Sequence, residues 1–126
     1  MRTRGEIEAA ASDGISRFML EFMGRGPKSV RSHLLGDMIM VRIQGALTAA
    51  EQHLISTLDG GKGRDLFKTV RTHLVENSRT RLEAMIEEAT EAKCVSLHHD
   101  VSTTTGEEVF VFTLDESPET RQAKRK

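Results

Sequence analysis

Apolar residues recur along the start of the chain at the spacing of one helical face. Ile7, Ala11, Ile15, Phe18, Met19 and Phe22 form a stripe, while Glu6, Glu8, Asp13, Arg17 and Glu21 fall largely off it. That pattern predicts an amphipathic helix from about Thr3 to Met23. Gly24 favours a left-handed cap and Pro27 cannot continue the hydrogen-bond ladder, so the helix is expected to stop there. The period then changes from helical to two. Ser29 to Leu35 reads as a strand, Gly36-Asp37 as a turn, and Met38 to Gln44 as a second strand with Ile39, Val41 and Ile43 on one face, which predicts a β-hairpin.

Thr48 followed by Glu51 has the form of a capping box ahead of Leu54, Ile55 and Leu58, and predicts a short second helix. Asp59-Gly60-Gly61-Lys62-Gly63 reads as a flexible linker. Helical periodicity resumes with Leu66, Phe67, Val70 and Leu74 and runs through Leu82, Met85, Ile86 and Ala89 to about Thr90. Unbroken, that helix of about 28 residues would be ~42 Å long, against roughly 36 Å for the diameter of a compact monomer of this size. Either it bends near Asn77-Ser78-Arg79, where the stripe lapses, or it projects and is covered by another chain.

Lys93 to Val101 and Glu108 to Leu114 read as two further strands joined by a polar turn. The last strand carries Phe110, Phe112 and Leu114 on one face and Val109 and Val111 on the other, so both faces are expected to be covered. The fold expectation is α+β: two tandem helix-hairpin (αββ) units whose hairpins join in an antiparallel four-stranded sheet packed against helices. Residues 1–115 form the single domain, and 116–126, charged and poor in apolar residues, a disordered tail.

Composition narrows the function. The chain has 126 residues, a formal charge of −1, no tryptophan or tyrosine and five phenylalanines, which argues against a base-stacking nucleic-acid binder. One cysteine, Cys94, excludes an internal disulfide and points to a reducing compartment. No apolar run approaches the ~18 residues of a membrane span and the N-terminus lacks a signal-peptide core, so a cytoplasmic protein is expected.

Candidate chemistry is sparse. On a strand, His98 and Asp100 would share one face and His99 would join Val95, Leu97 and Val101 on the other; a metal site would need further ligands, with His33 the nearest in kind. Two residues on a face are not a ligand set, and neither a metal nor another cofactor is expected. Asp59-Gly60-Gly61-Lys62-Gly63-Arg64 resembles a phosphate loop only superficially, lacking both the hydroxyl residue after the lysine and a strand leading in. No Gly-x-Ser-x-Gly elbow occurs, and Cys94 reads as a small core residue. The Gly24-Arg25-Gly26-Pro27-Lys28 corner stands out: two glycines can present backbone N–H groups, and Arg25, Lys28 and Arg31 add positive charge, which suits a small anion or an acidic partner surface. A helix stop before a strand also requires glycine and proline. The basic run from Arg121 to Lys126 is diluted by Glu116 and Glu119.

Gly5-Glu6-Ile7-Glu8, Gly24 to Arg31, Val75-Glu76-Asn77-Ser78-Arg79, Ser96-Leu97-His98-His99-Asp100-Val101-Ser102-Thr103, Gly106-Glu107 and Val111 to Leu114 together resemble the MpsC-like family of small bacterial proteins. That family is named for a sodium-translocating, membrane-potential-generating system. The resemblance implies a soluble accessory component of a membrane ion or bicarbonate uptake system, with translocation belonging to partners. The expectation is a non-enzymatic cytoplasmic accessory or regulatory protein, homodimeric and peripheral to the inner face of the membrane. It would contact a membrane-system partner through its helix face or through Arg25, Gly26, Lys28 and Arg31. The competing expectation is a small-anion sensor at that same corner.

Overall fold

The computed structural model describes residues 2–24, 26–45, 47–118 and 120. The elements run α1 (Arg4–Met23), β1 (Ser29–Leu35), β2 (Met38–Gln44), α2 (Ala49–Thr57), a single 3-10 turn (Asp59–Gly61), α3 (Lys62–Asn77), α4 (Arg79–Thr90), β3 (Cys94–Val101) and β4 (Glu108–Leu114). The architecture is α+β, with four α-helices and one antiparallel sheet in the order β1-β2-β4-β3. The hairpins therefore meet through their second strands, and β1 and β3 become the edges.

Local chemistry accounts for the helix starts. Thr3 Oγ1 accepts from the Glu6 N–H at 3.1 Å while the Thr3 N–H donates to Glu6 Oε1 at 2.8 Å. The expected box at Thr48 and Glu51 has the same reciprocal pair, at 3.1 and 2.9 Å. Each satisfies two orphan N–H groups of a first helical turn. The linker expectation over 59–63 needs correction, because Lys62 and Gly63 already lie in α3. Gly60 and Gly61 take positive φ and turn the chain sharply. Gly63 is required by close packing: a Cβ there would stand 2.2 Å from the Leu54 carbonyl oxygen of α2. The two possibilities left open for the long helix resolve as a break at Ser78, whose N–H donates to the Leu74 and Val75 carbonyls.

One face of the sheet carries the core. Ile39, Val41 and Ile43 of β2 and Phe110, Phe112 and Leu114 of β4 pack with Ile7, Ala11, Ile15, Phe18 and Met19 of α1 and with Leu82 and Ile86 of α4. Each such large side chain stabilises the fold by about 1.5–3 kcal/mol on burial, which fixes which face of each strand points inward. Leu47, Phe67 and Val101 form a smaller cluster under α2 and α3. The other sheet face departs from expectation: Val109 and Val111 are only half-buried, and the described helices all lie on the opposite side. Val95 also departs from the predicted alternation, standing in an irregularity between Cys94 and Ser96, 58% exposed. Of the tail expected over 116–126, residues 119 and 121–126 lie outside the described residues, as does the basic run that ends it, and 116–118 and 120 carry no helix or strand.

Candidate functional site

The open sheet face is ordered in rows by strand register. Arg31 pairs with Arg42, Arg42 with Val109 and Val109 with Asp100, so one row reads Arg31-Arg42-Val109-Asp100 from edge to edge. The next reads His33-Met40-Val111-His98, and the third Leu35-Met38-Thr113-Ser96. Half-buried methionine, valine and threonine occupy the middle strands except at exposed Arg42, and charged or imidazole groups occupy the edges of the first two rows.

The predicted basic corner lies at one end of this face. Ser29, Arg31, Arg42 and Gln44 line a depression of about 250 Å³. Arg42 and Gln44 were missed at the sequence level, because only strand pairing brings them beside Arg31. Glu107 accepts from Arg42 Nη2 at 2.6 Å and from Gln44 Nε2 at 2.8 Å, neutralising one of the two guanidinium groups. The Lys28 N–H donates to the Gln44 carbonyl at 2.8 Å, which ties the loop to the same end, and Gly26 and Lys28 are exposed. Arg25 lies outside the described residues.

Glu107 and Glu108, adjacent on the chain, point to opposite sheet faces. Beneath the sheet, Glu108 is fully buried and accepts from Arg71 Nη1 at 2.7 Å. Its second oxygen lies 2.5 Å from His99 Nε2. Arg71, 1% exposed, also donates to Glu51 at 3.0 Å, and its guanidinium lies 5.2 Å from the centre of the Phe67 ring. Among the described residues no buried side-chain nitrogen or oxygen lacks a hydrogen bond. A network so fully satisfied joins α2, α3, β3 and β4 rather than waiting for a ligand. Sequence reasoning did not single out Arg71 or Glu108, although the signal was present. Arg71 is in helical phase with Phe67 and Val75, and Glu108 is in strand phase with Phe110 and Phe112.

His98 and Asp100 do share the open face, and His99 points inward with Leu97 and Val101. His33 and His98 sit on opposite edge strands of one row, three strand spacings or ~14 Å apart, too far to ligate one ion. Among the described residues no group of three histidines, cysteines or carboxylates could hold a metal. Backbone donation from Val101 and then Lys68 at 3.2 Å hold the Asp100 carboxyl below its usual range. Burial, followed by the Glu83 and Glu87 carboxylates, pushes the Cys94 thiol up to about 11. That suits a core position and opposes use as a nucleophile. On the helix side, Gly14, Phe18 and Met85 floor a groove of about 390 Å³ between α1 and α4, rimmed by Arg17, Glu21 and Arg81.

The comparisons with known proteins match the sequence of this chain to a family. The family described as Na+-translocating membrane potential-generating system (MpsC) matches residues 3–116, which span every element above. The chain belongs to the MpsC family. Two relatives come from Bacillus subtilis strain 168, both named as uncharacterized proteins. YbcI is 36% identical over 113 residues, covering 90% of this chain and 89% of its own length. YrhF is 30% identical over 106 residues, covering 82% and 84%. No solved structure matches the chain. In this MpsC-family chain no described helix is long and apolar enough to cross a membrane.

Proposed function

We propose that this protein is a non-enzymatic accessory or regulatory component of a membrane ion-transport system, acting as a homodimer on the cytoplasmic side of the membrane. The observation that carries this reading is membership of a family described by a sodium-translocating, potential-generating system. The described helices are too polar to span a bilayer, so in this reading the translocation path is built by partner chains. The two helix-hairpin halves, read as tandem αββ units, supply two candidate contact surfaces. One is the corner of Arg25, Gly26, Lys28 and Arg31; the other is the charged groove between α1 and α4. A cationic corner beside exposed glycines suits an acidic loop of such a partner.

The test is co-purification from detergent-solubilised membranes of the producing bacterium. Wild type is expected to retain a multi-spanning transport protein, and Lys28→Glu to lose at least tenfold of it. Retention of no membrane protein by wild type would remove the reading. A small-anion sensor is the second reading, favoured by the 250 Å³ depression lined by Arg31, Arg42, Ser29 and Gln44. Calorimetry with bicarbonate and with inorganic phosphate decides it: saturable heat with wild type, lost in Arg31→Ala, would support the sensor, and no heat with either anion would eliminate it.

A further inference from the structure

The open sheet face and both sheet edges bear on how a second copy could be seated. The edges are obstructed by the chain's own side chains. On β1 the Leu34 N–H donates to Glu8 Oε2 at 2.8 Å, and the Leu34 carbonyl accepts from Arg4 Nη2 at 3.1 Å. Both polar groups that a docking strand would need at that residue are therefore occupied from α1. On β3 the Cys94 N–H donates to Glu87, the Val101 N–H donates to Asp100, and the strand is irregular between Cys94 and Ser96. Continuation of the sheet is therefore hindered at Leu34 on one edge and at Cys94 and Val101 on the other, whereas the face with Met38, Met40, Val109 and Val111 is left open.

Two closed two-fold arrangements stack such faces. With the axis perpendicular to the strands, each strand faces itself, and Arg31 meets either Arg31 or Leu35 of the other copy. With the axis parallel to the strands, between β2 and β4, each row faces itself reversed. Arg31 then meets Asp100, Met40 meets Val111 and His33 meets His98, each across the ~10 Å of a stacked-sheet interface. Only the second arrangement sets opposite charges together at both ends of the Arg31-Arg42-Val109-Asp100 row and apolar groups together at the centre of the next row. Arg31 makes no ion pair within the described residues of its own chain, and Asp100, 78% exposed at its side chain, can accept from a second cation besides Lys68.

We infer that the open sheet face is the homodimer interface, seating a second copy about a two-fold parallel to the strands with Arg31 against Asp100 of the other copy. This rests on the homodimer in the proposed function and adds the surface and its orientation. Gly26 and Lys28, at the rim, stay available to a membrane partner, as does the groove between α1 and α4 on the opposite side.

The experiment is light scattering on the full chain from 1 to about 200 μM, with charge variants and a cysteine pair. Wild type is expected to be dimeric, Arg31→Glu to weaken the dimer at least tenfold, and Arg31→Glu combined with Asp100→Arg to recover to within about threefold of wild type. Arg31→Cys with Asp100→Cys, in a Cys94→Ser background, is expected to form a covalent dimer with a short bis-maleimide, which reaches across the ~10 Å between stacked sheets. The same pair lies ~14 Å apart within one chain, beyond that reach, so this linkage reports the interface alone. A wild type that stays monomeric throughout would overturn the homodimer and this interface with it. A dimeric wild type with unaffected Arg31→Glu and no 31–100 linkage would overturn the interface while leaving the homodimer standing.

Discussion

Arg71 enters the interior only because carboxylates enter with it. Removing one partner from a buried charge network leaves the other desolvated and unpaired, which costs far more than removing both. Glu108→Ala is therefore expected to lower stability by about 3–5 kcal/mol in urea unfolding, whereas Arg71→Met with Glu108→Leu should cost clearly less. Equal losses in the two variants would mean that the network does not behave as a charge pair. Glu51 has two tasks, since Oε1 accepts from the Thr48 N–H and from Arg71 Nη2. Thr48→Ala should cost about 1 kcal/mol as a lost cap, and Glu51→Ala should exceed it measurably in the same assay. At Cys94 the raised pKa sets reactivity. A thiol near 11 exposes little thiolate at pH 7.5, so its alkylation by iodoacetamide, followed by mass spectrometry, should be roughly a hundredfold or more slower than that of glutathione. The rate should climb about tenfold per pH unit across the neutral range, because only the thiolate reacts. Rapid alkylation at neutral pH would contradict the half-buried placement beside Glu83 and Glu87.

At the scale of elements, period and caps were sufficient where the determinant is local. The stripe from Ile7 to Phe22, the alternation through Ile39 to Ile43 and the Thr48-Glu51 box locate α1, β2 and the start of α2 from residues a few positions apart. Where the determinant is a contact between distant elements, the sequence was silent. Gly63 read as linker because glycine is a poor helix former, yet its missing side chain is what lets α2 lie against α3. Gly63→Ala is expected to destabilise by about 1–3 kcal/mol and to raise amide hydrogen exchange in α2 above that in α1; unchanged exchange in α2 would show that α2 is held some other way. The pairing of β2 with β4 was equally hidden, and with it the approach of Arg42 and Gln44 to Arg31. Arg31 and Lys28 were legible because charge beside Gly and Pro is a local pattern. Glu107, which neutralises half of that corner, was not, because it arrives from the other hairpin.

The whole molecule is an asymmetric two-layer structure, with helices on one sheet face and a half-buried, charge-edged face on the other. The near-neutral total charge is an average over a basic corner and acidic helix faces. Such a chain suits association through opposed local charges more than a long-range field. In this account a second copy covers the sheet face, while the corner rim and the helix groove face the transport system. The most direct measurement is the sodium-dependent membrane potential of the producing bacterium after deletion of the gene for this chain, read with a potential-sensitive dye. The account predicts loss of the sodium-dependent component on deletion and its return when the wild-type chain is supplied again. An unchanged sodium-dependent potential in the deletion strain would contradict it.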